Sequence, residues 1–364
     1  MKILHITKYL NTQYGGIESY TNSICNELYK KYKKIDVISF GSKNKLLIKN
    51  KYNIIFFPIN FIIFSAPISI QMFFFLKKKI NQYKLVHIYL PNPWAVLLIY
   101  LFAKKNIKIV ISWGSDIINQ KISKIILNFF HRKLLKISSI IIGLSKIYIN
   151  HSLDLKEFKY KLDIVPPILK NVSTINKNYS KKIRILFVGR LVKYKALDVL
   201  IKSIVILPNN YSLTIVGDGP EYKNLFNLSL KYNLNDRVFF LKNISEKNKS
   251  LEYKKASIFC LCSKNRAESF GISLLEAINY SLPLVVSNVK GSGMREMIIN
   301  NYNGFLFKSN SYKDLASKIK KIGGSRKLNK IFSKNSKNLF IKNFSEVKLS
   351  NKIISIYKKV LSNN

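Results

Sequence analysis

Glu268 and Glu276 stand eight positions apart in Glu268-Ser-Phe-Gly-Ile-Ser-Leu-Leu-Glu276, bracketing a Phe-Gly turn and the start of a predicted helix. Gly271 lets the backbone come close to a ligand. The amides of Phe270, Gly271 and Ile272 then lie at the positive end of the helix, aimed at a phosphate or a sugar. Glu276, further into that helix, is placed to accept hydrogen bonds from ribose hydroxyls. Glu268, ahead of the helix, is placed to hold other sugar hydroxyls. An exposed helix position is the plain alternative for Glu276. Acids number only 18 in 364 residues, however, so two of them in this pattern argue against accident.

A second set lies in Phe187-Val-Gly-Arg-Leu-Val-Lys-Tyr-Lys195. Gly189 ends a predicted strand, and Arg190 and Lys195 emerge at the carboxyl edge of the sheet. Two cations there suit a diphosphate, which both side chains bind by charge and hydrogen bonds. A solvated basic loop explains Lys193 equally well in so lysine-rich a chain. It explains Arg190 less well, because arginines are few. Gly15-Gly16, just before another predicted helix, forms a weaker phosphate cradle; alone, such a pair is more often a simple turn.

Metal and thiol chemistry find little support. No two acids stand at i and i+2, so an Asp-x-Asp metal clamp is missing. Cys260 and Cys262 alternate in an apolar run that reads as a core strand, and with Cys25 they make no disulfide framework or zinc site. A reducing cytoplasm suits such cysteines. His5, His131 and His151 are expected to serve structure or surface.

These residues need elements to hold them. In the first half, strands are predicted over 3–6, 35–40, 85–89 and 107–112, with helices over 97–103 and 117–136. Ile17, Tyr20, Ile24 and Leu28 share one face of an earlier helix. In the second half the strands are 183–189, 213–217, 238–241, 258–262 and 284–287, and the helices are 197–206, 221–231 and 272–279. Strand alternating with helix predicts parallel sheets with crossovers, whose ligands bind at the carboxyl ends of the strands. The polar stretch 170–182, after Pro166-Pro167, reads as a linker. The length suits two domains, 1–169 and 183–344, with a basic apolar-periodic tail over 345–364.

With 62 Lys+Arg against 18 Asp+Glu, the formal charge is +44. Codon bias toward Lys, Asn and Ile accounts for part of this, but the field it makes still draws anionic partners. Nucleic acid is not expected: the lysines are spread along the chain, and no zinc ligands, aromatic RNP-like pattern or heptads accompany them. The apolar run after Met1-Lys2 is too short for a signal peptide. The stretch 52–76 has no charged residue, but Pro58 and Pro67 interrupt it. It is read as a buried strand, turn and helix rather than a spanning helix, with partial dipping into a bilayer surface as an intermediate reading.

The order and spacing of these pieces resemble the retaining GT-B glycosyltransferases of family 4, of the bacterial polysaccharide and O-antigen assembly type. The resemblance covers nearly the whole chain. It runs through Gly15-Gly16-Ile17-Glu18, Val188-Gly189-Arg190-Leu191 with Lys195, Ile215-Val-Gly-Asp-Gly-Pro220, Glu268 to Glu276, Leu282-Pro-Leu-Val-Val and Asn303-Gly-Phe-Leu. His87-Ile-Tyr-Leu-Pro-Asn-Pro93 and Trp113-Gly-Ser-Asp116 look like a subgroup that often uses GDP- or UDP-activated sugars.

The resemblance implies an α/β fold of GT-B type, with two Rossmann-like doubly wound parallel-sheet domains facing a cleft. It implies hexosyl transfer with retention and without metal or other cofactor, the donor being a GDP- or UDP-sugar. Glu268, Asp116, Arg190 and Lys195 become the expected catalytic residues. Gly15, Gly16, Gly189, Arg190, Lys195, Glu268, Phe270, Gly271, Ile272 and Glu276 become the donor-binding set. The acceptor is expected to be a lipid-linked saccharide, met by a cytoplasmic enzyme peripheral on the anionic inner face of the bacterial membrane. The tail 345–364 is expected to pack back on the first domain. A nucleotide-sugar epimerase or phosphorylase on the same fold is the alternative. Members of the family often carry a His shortly before the aspartate matching Asp116; here those places are Trp113 and Gly114.

Overall fold

A computed structural model describes residues 1–10, 16–41, 45–49, 52–63, 66–116, 123–173 and 182–362. They form two compact units, Met1–Leu169 with Glu346–Asn364, and Lys170–Ser345.

The first unit contains β1 (Ile3–Tyr9), α1 (Gly16–Lys31), β2 (Ile35–Gly41), β3 (Lys45–Lys49) and β4 (Tyr52–Pro58). It continues with β5 (Phe61–Ile63), β6 (Ala66–Ile68), α2 (Ile70–Lys79), β7 (Leu85–Leu90), α3 (Pro93–Phe102) and β8 (Lys108–Trp113). Then come α4 (Ser123–Ile137), β9 (Ile140–Gly143), α5 (Lys146–Asn150) and β10 (Leu162–Ile164). Eight strands make one sheet in the order β10-β9-β8-β7-β1-β2-β4-β3, parallel except for β3. Every residue of β7 is buried, as a parallel strand covered on both faces requires. Helix α3 begins earlier than its apolar run suggests, because the Asn92 side chain accepts from the Ala95 amide and Pro93 fits the first turn. Of the helix expected over 117–136, residues 117–122 lie outside the described residues.

Several buried polar side chains of this core are paired with one another, which offsets the cost of their burial. The His87 ring lies 2.6 Å from the Tyr357 hydroxyl and 2.7 Å from Ser112 Oγ, and His5 Nδ1 is 3.0 Å from Tyr89 OH. Tyr357 belongs to the last helix, Glu346–Ser362, which packs on this unit. The same helix gives Ser350, whose hydroxyl donates to buried Glu27 at 2.6 Å.

The stretch 52–76 corrects the sequence reading. Tyr52–Pro58 is indeed a strand with a buried side, but Phe61, Ile62 and Ile63 are exposed. The physical reason is topological: β5 and β6 pair only with each other, as a small antiparallel hairpin outside the main sheet. Within α2 only Met72 and Leu76 face the core fully.

The second unit contains β11 (Ile183–Val188), α6 (Leu197–Val205), β12 (Tyr211–Val216), α7 (Tyr222–Lys231), β13 (Val238–Leu241), α8 (Glu246–Lys255) and β14 (Ile258–Leu261). It ends with α9 (Ile272–Asn279), β15 (Leu284–Ser287), β16 (Gly304–Phe307), α10 (Tyr312–Gly323) and α11 (Arg326–Phe344); the last helix of the chain is α12. Its six strands are all parallel, in the order β13-β12-β11-β14-β15-β16. The chain thus winds outward from β11 to one edge and then returns to wind outward to the other. The reversal falls between β11 and β14, where open α/β sheets bind ligands. The first part of the expected linker is held by this unit: Asn279 accepts from the Val172 amide at 3.1 Å and donates to the Lys170 carbonyl at 2.9 Å. Residues 174–181 lie outside the described residues.

Candidate active site

The loops that leave β11 and β14 at the reversal point carry the two oppositely charged residues singled out in the sequence. Lys195 follows β11, Glu268 follows β14, and their side chains form a buried ion pair. Ser263 Oγ donates to the same carboxylate at 3.1 Å. A hydroxyl and an ammonium on one carboxylate are the partners a buried charge requires. The loop around Glu268 is held from below, because Ser292 Oγ donates to the Glu268 carbonyl at 2.6 Å. Tyr194, beside Lys195, is largely buried. Burial pushes its phenol well above the ordinary range, nearby Glu268 adds to that, and Arg190 opposes it. Arg190 itself is exposed at the same strand end.

Gly217 is glycine at this edge for a steric reason. A Cβ placed on Gly217, at the end of the neighbouring β12, would lie 2.0 Å from the Gly189 carbonyl oxygen. Gly217 has φ +146°, so it is glycine for conformation as well as for space. The two strand ends therefore meet backbone to backbone, and Arg190 follows directly.

Helix α9 opens at Gly271, whose φ of +86° and ψ of 63° is left-handed. No side chain caps this end. Phe270 is buried and anchors the turn. The Leu274 and Leu275 amides donate to the Gly271 carbonyl, while the Ile272 amide has no side-chain cap among the described residues, an end that suits an anion. Glu276 lies one turn on and is less exposed than a plain surface position. Tyr253 OH donates to its Oε2 at 2.7 Å and Lys249 Nζ to its Oε1 at 3.0 Å. Burial raises the Tyr253 phenol far above its usual range, and Glu276 raises it further. Burial alone would lower Lys249; Glu276 and Glu246 outweigh it, and its net shift is upward. Sequence reasoning missed Lys249, Tyr253 and Ser263. The first two lie on α8, whose polar sequence carries almost no apolar stripe, and only Ser245 at its N-cap marks it.

In the first unit the ends of β7 and β8 meet the start of α1. A Cβ on Gly114 would lie 2.7 Å from the Leu90 carbonyl and 3.4 Å from the Ile17 side chain at the start of α1. Gly16 is the exposed first residue of that helix; Gly15 lies outside the described residues. Asp116 Oδ1 accepts from Trp113 Nε1 at 3.0 Å and from Ser152 Oγ at 2.6 Å, and the Asp116 amide donates to Tyr148 OH at 2.8 Å. The departure from the family's histidine thus has a structural side. Position 114 has no room for a side chain, and the indole at 113 is buried while holding Asp116. Among the described residues, no three His, Cys, Asp or Glu side chains gather as metal ligands.

The structure thus brings Lys195, Glu268 and Gly189 together, with Arg190 and the start of α9 on the same sheet edge. It sets Glu276 one turn deeper on partners of its own. Asp116 and Gly16 belong to the first unit.

Comparison with known proteins agrees in kind. Residues 170–339 match the family described as Glycosyl transferases group 1. The O-antigen chain mannosyltransferase C of Escherichia coli is 22% identical over 99% of each chain. An uncharacterized glycosyltransferase of Methanocaldococcus jannaschii is 32% identical over 51% of this chain, and there the match spans only 46% of the relative's length. Among solved structures, the Anabaena protein HepE in complex with UDP superposes with a TM-score of 0.75 at 16% identity, over 99% of this chain and 100% of that one. A sucrose-phosphate synthase from Thermosynechococcus elongatus gives 0.81 at 16% identity over all of both chains. These likenesses establish the fold as GT-B, with two Rossmann-like domains.

Proposed function

We propose that this glycosyltransferase moves a hexose-type sugar from a GDP- or UDP-sugar to a lipid-linked saccharide in cell-surface polysaccharide assembly, with retention and without a metal. The observation that carries the reading is the buried Lys195–Glu268 pair at the reversal point of the second sheet, beside the uncapped helix α9. Arg190, Lys195 and the amides of Phe270, Gly271 and Ile272 take the diphosphate charge that grows as the bond to the sugar breaks. Glu268, held by Lys195 and Ser263, receives hydroxyls of the transferred sugar. Glu276, fixed through both oxygens by Tyr253 and Lys249, receives the ribose hydroxyls. The acceptor hydroxyl attacks on the face from which the diphosphate leaves. Asp116, on its Trp113 and Ser152 supports, serves the sugar or the acceptor, and Gly15-Gly16 lends backbone amides. The names of relatives such as the O-antigen chain mannosyltransferase support polysaccharide assembly and a hexose-type sugar; the UDP in HepE supports a nucleoside-diphosphate donor. The enzyme works at the cytoplasmic face of an anionic membrane, where a lipid-linked acceptor is found.

The test is a thermal-shift screen with UDP, GDP, dTDP and CMP, each without added metal. A ligand at a hundred times its dissociation constant adds about 2.7 kcal/mol of stability. One diphosphate is expected to raise the melting temperature and the others to do so far less. Glu276→Ala is expected to remove that shift while leaving the melting of the unliganded protein within a few degrees. A Glu276→Ala variant that binds and turns over normally would sink the site assignment.

A further inference from the structure

The β5–β6 hairpin presents Phe61, Ile62 and Ile63 at 57%, 67% and 50% exposure, three consecutive large apolar side chains in water. Helix α2 follows at once and exposes Ile70 and Phe74, at 44% and 60%. The two elements are fastened together. The Ile70 amide donates to Asn60 Oδ1 at 3.0 Å, Ser69 caps α2, and Trp94 Nε1 donates to the Ser69 carbonyl at 3.2 Å. Ile70, Phe74, Lys77 and Lys78 follow one another along a single helical stripe, so the apolar surface runs into a basic one. Lys77, Lys78 and Lys79 are all exposed. Isolated exposed apolar residues need no explanation, but a grouped set with a charged rim marks an interaction site.

We propose that this hairpin and the outer stripe of α2 are the surface by which the protein seats on an anionic lipid bilayer. The apolar side chains enter the boundary between headgroups and acyl chains, and the lysines meet lipid phosphates. Two observations select this occupant. No Asp or Glu occurs anywhere between Asp36 and Asp116, so the whole region is cationic and complements a negative surface. A second copy of the chain docked here by a two-fold axis would set the same lysines against each other. The contact is peripheral, because among the described residues no helix is long and apolar enough to cross a membrane. This inference deepens the membrane contact in the reading above, yet it does not depend on the transfer chemistry.

The test is co-sedimentation of the full chain with vesicles of phosphatidylcholine alone or mixed with phosphatidylglycerol. The wild type is expected to pellet with the mixed vesicles and much less with the neutral ones. The F61S/I62S/I63S variant is expected to bind the mixed vesicles about tenfold more weakly. F74S, on the rigid helix, is expected to lose about threefold. K77S/K78S/K79S is expected to lose affinity for mixed vesicles only. All of these variants keep the wild-type melting temperature and nucleotide-induced shift. Equal pelleting of wild type, F61S/I62S/I63S and F74S on mixed vesicles overturns the proposal, because diffuse charge then suffices. Self-association in sedimentation velocity that F61S/I62S/I63S abolishes also overturns it, in favour of a second copy. A wild type that binds vesicles but responds to no nucleotide leaves this surface standing and removes the transferase reading instead.

Discussion

At the scale of single residues, the buried Lys195–Glu268 pair ties stability to the proposed site. Removing one partner leaves the other charged and out of water, at a cost of about 3–5 kcal/mol, whereas removing both with apolar substitutes of similar size is often near neutral. Lys195→Met and Glu268→Leu are therefore each expected to lower the denaturant midpoint strongly, and the double variant to regain most of the loss while staying inactive. Additive losses in the double-mutant cycle would mean that the two charges do not depend on each other. The individual residues of this pair were legible in the sequence, since each follows an apolar strand at a predicted carboxyl end. Their pairing was not, because it is set by which strands are neighbours in the sheet. The support of Glu276 was hidden for the same reason. Tyr253 and Lys249 reach it from a helix that carries almost no periodic signal, and nothing local to Glu276 announces them.

At the scale of elements, the strand ends of the second unit fit so closely that they fix the edge from which Arg190 emerges. Gly217→Ala is expected to destabilise by more than about 2 kcal/mol, because it adds both strain and a clash with the Gly189 carbonyl. The backbone around Arg190 must then shift, so nucleotide affinity should fall further than stability at a temperature where the variant remains folded. Calorimetric titration on the folded variant checks this; unchanged affinity would detach the Gly189 edge from donor binding. Most strands of this unit could be read from sequence because short apolar runs such as Ile185–Val188 end in a glycine or a polar loop. The weaker signals belong to edges. Strand β3 has a three-residue apolar centre between lysines and runs antiparallel to β4. Strand β5 has the composition of a core strand, and only its lack of a place in the main sheet leaves it in water.

At the scale of the whole molecule, the buried imidazoles tie stability to pH. Burial pushes His5 down to about 3 and His131 to about 4, and it lowers His87 well below its ordinary range, with His5 adding to the effect. In the unfolded chain the same rings protonate near pH ~6.5. The unfolded state therefore binds more protons below that value, and the folded state follows only near the lowered values. Stability is fully present above about pH 6.5 and declines as pH falls toward about 4, by up to ~1.4 kcal/mol per unit for each ring. Denaturant midpoints measured from pH 7.5 to about 4.5 should show this slope. His131→Leu should make it shallower, since His131 is buried and its Nε2 has no hydrogen-bond partner among the described residues. A midpoint that does not change with pH would show that the rings are reached by water.

The packing of α12 on the first unit has a further consequence, in the order of events during synthesis. Residues 1–169 leave the ribosome first, but the hydroxyl of Tyr357 beside His87 and that of Ser350 on Glu27 arrive only after all of residues 170–345 have been made. Residues 170–345 carry a complete sheet with its own helices and have every part they need by the time Ser345 emerges. Domains commonly fold in the order in which they are made. Here the later-made unit is the earlier one to be complete, and the nascent first unit must wait, with His87 lacking Tyr357 and Glu27 lacking Ser350, until residues 346–362 have emerged.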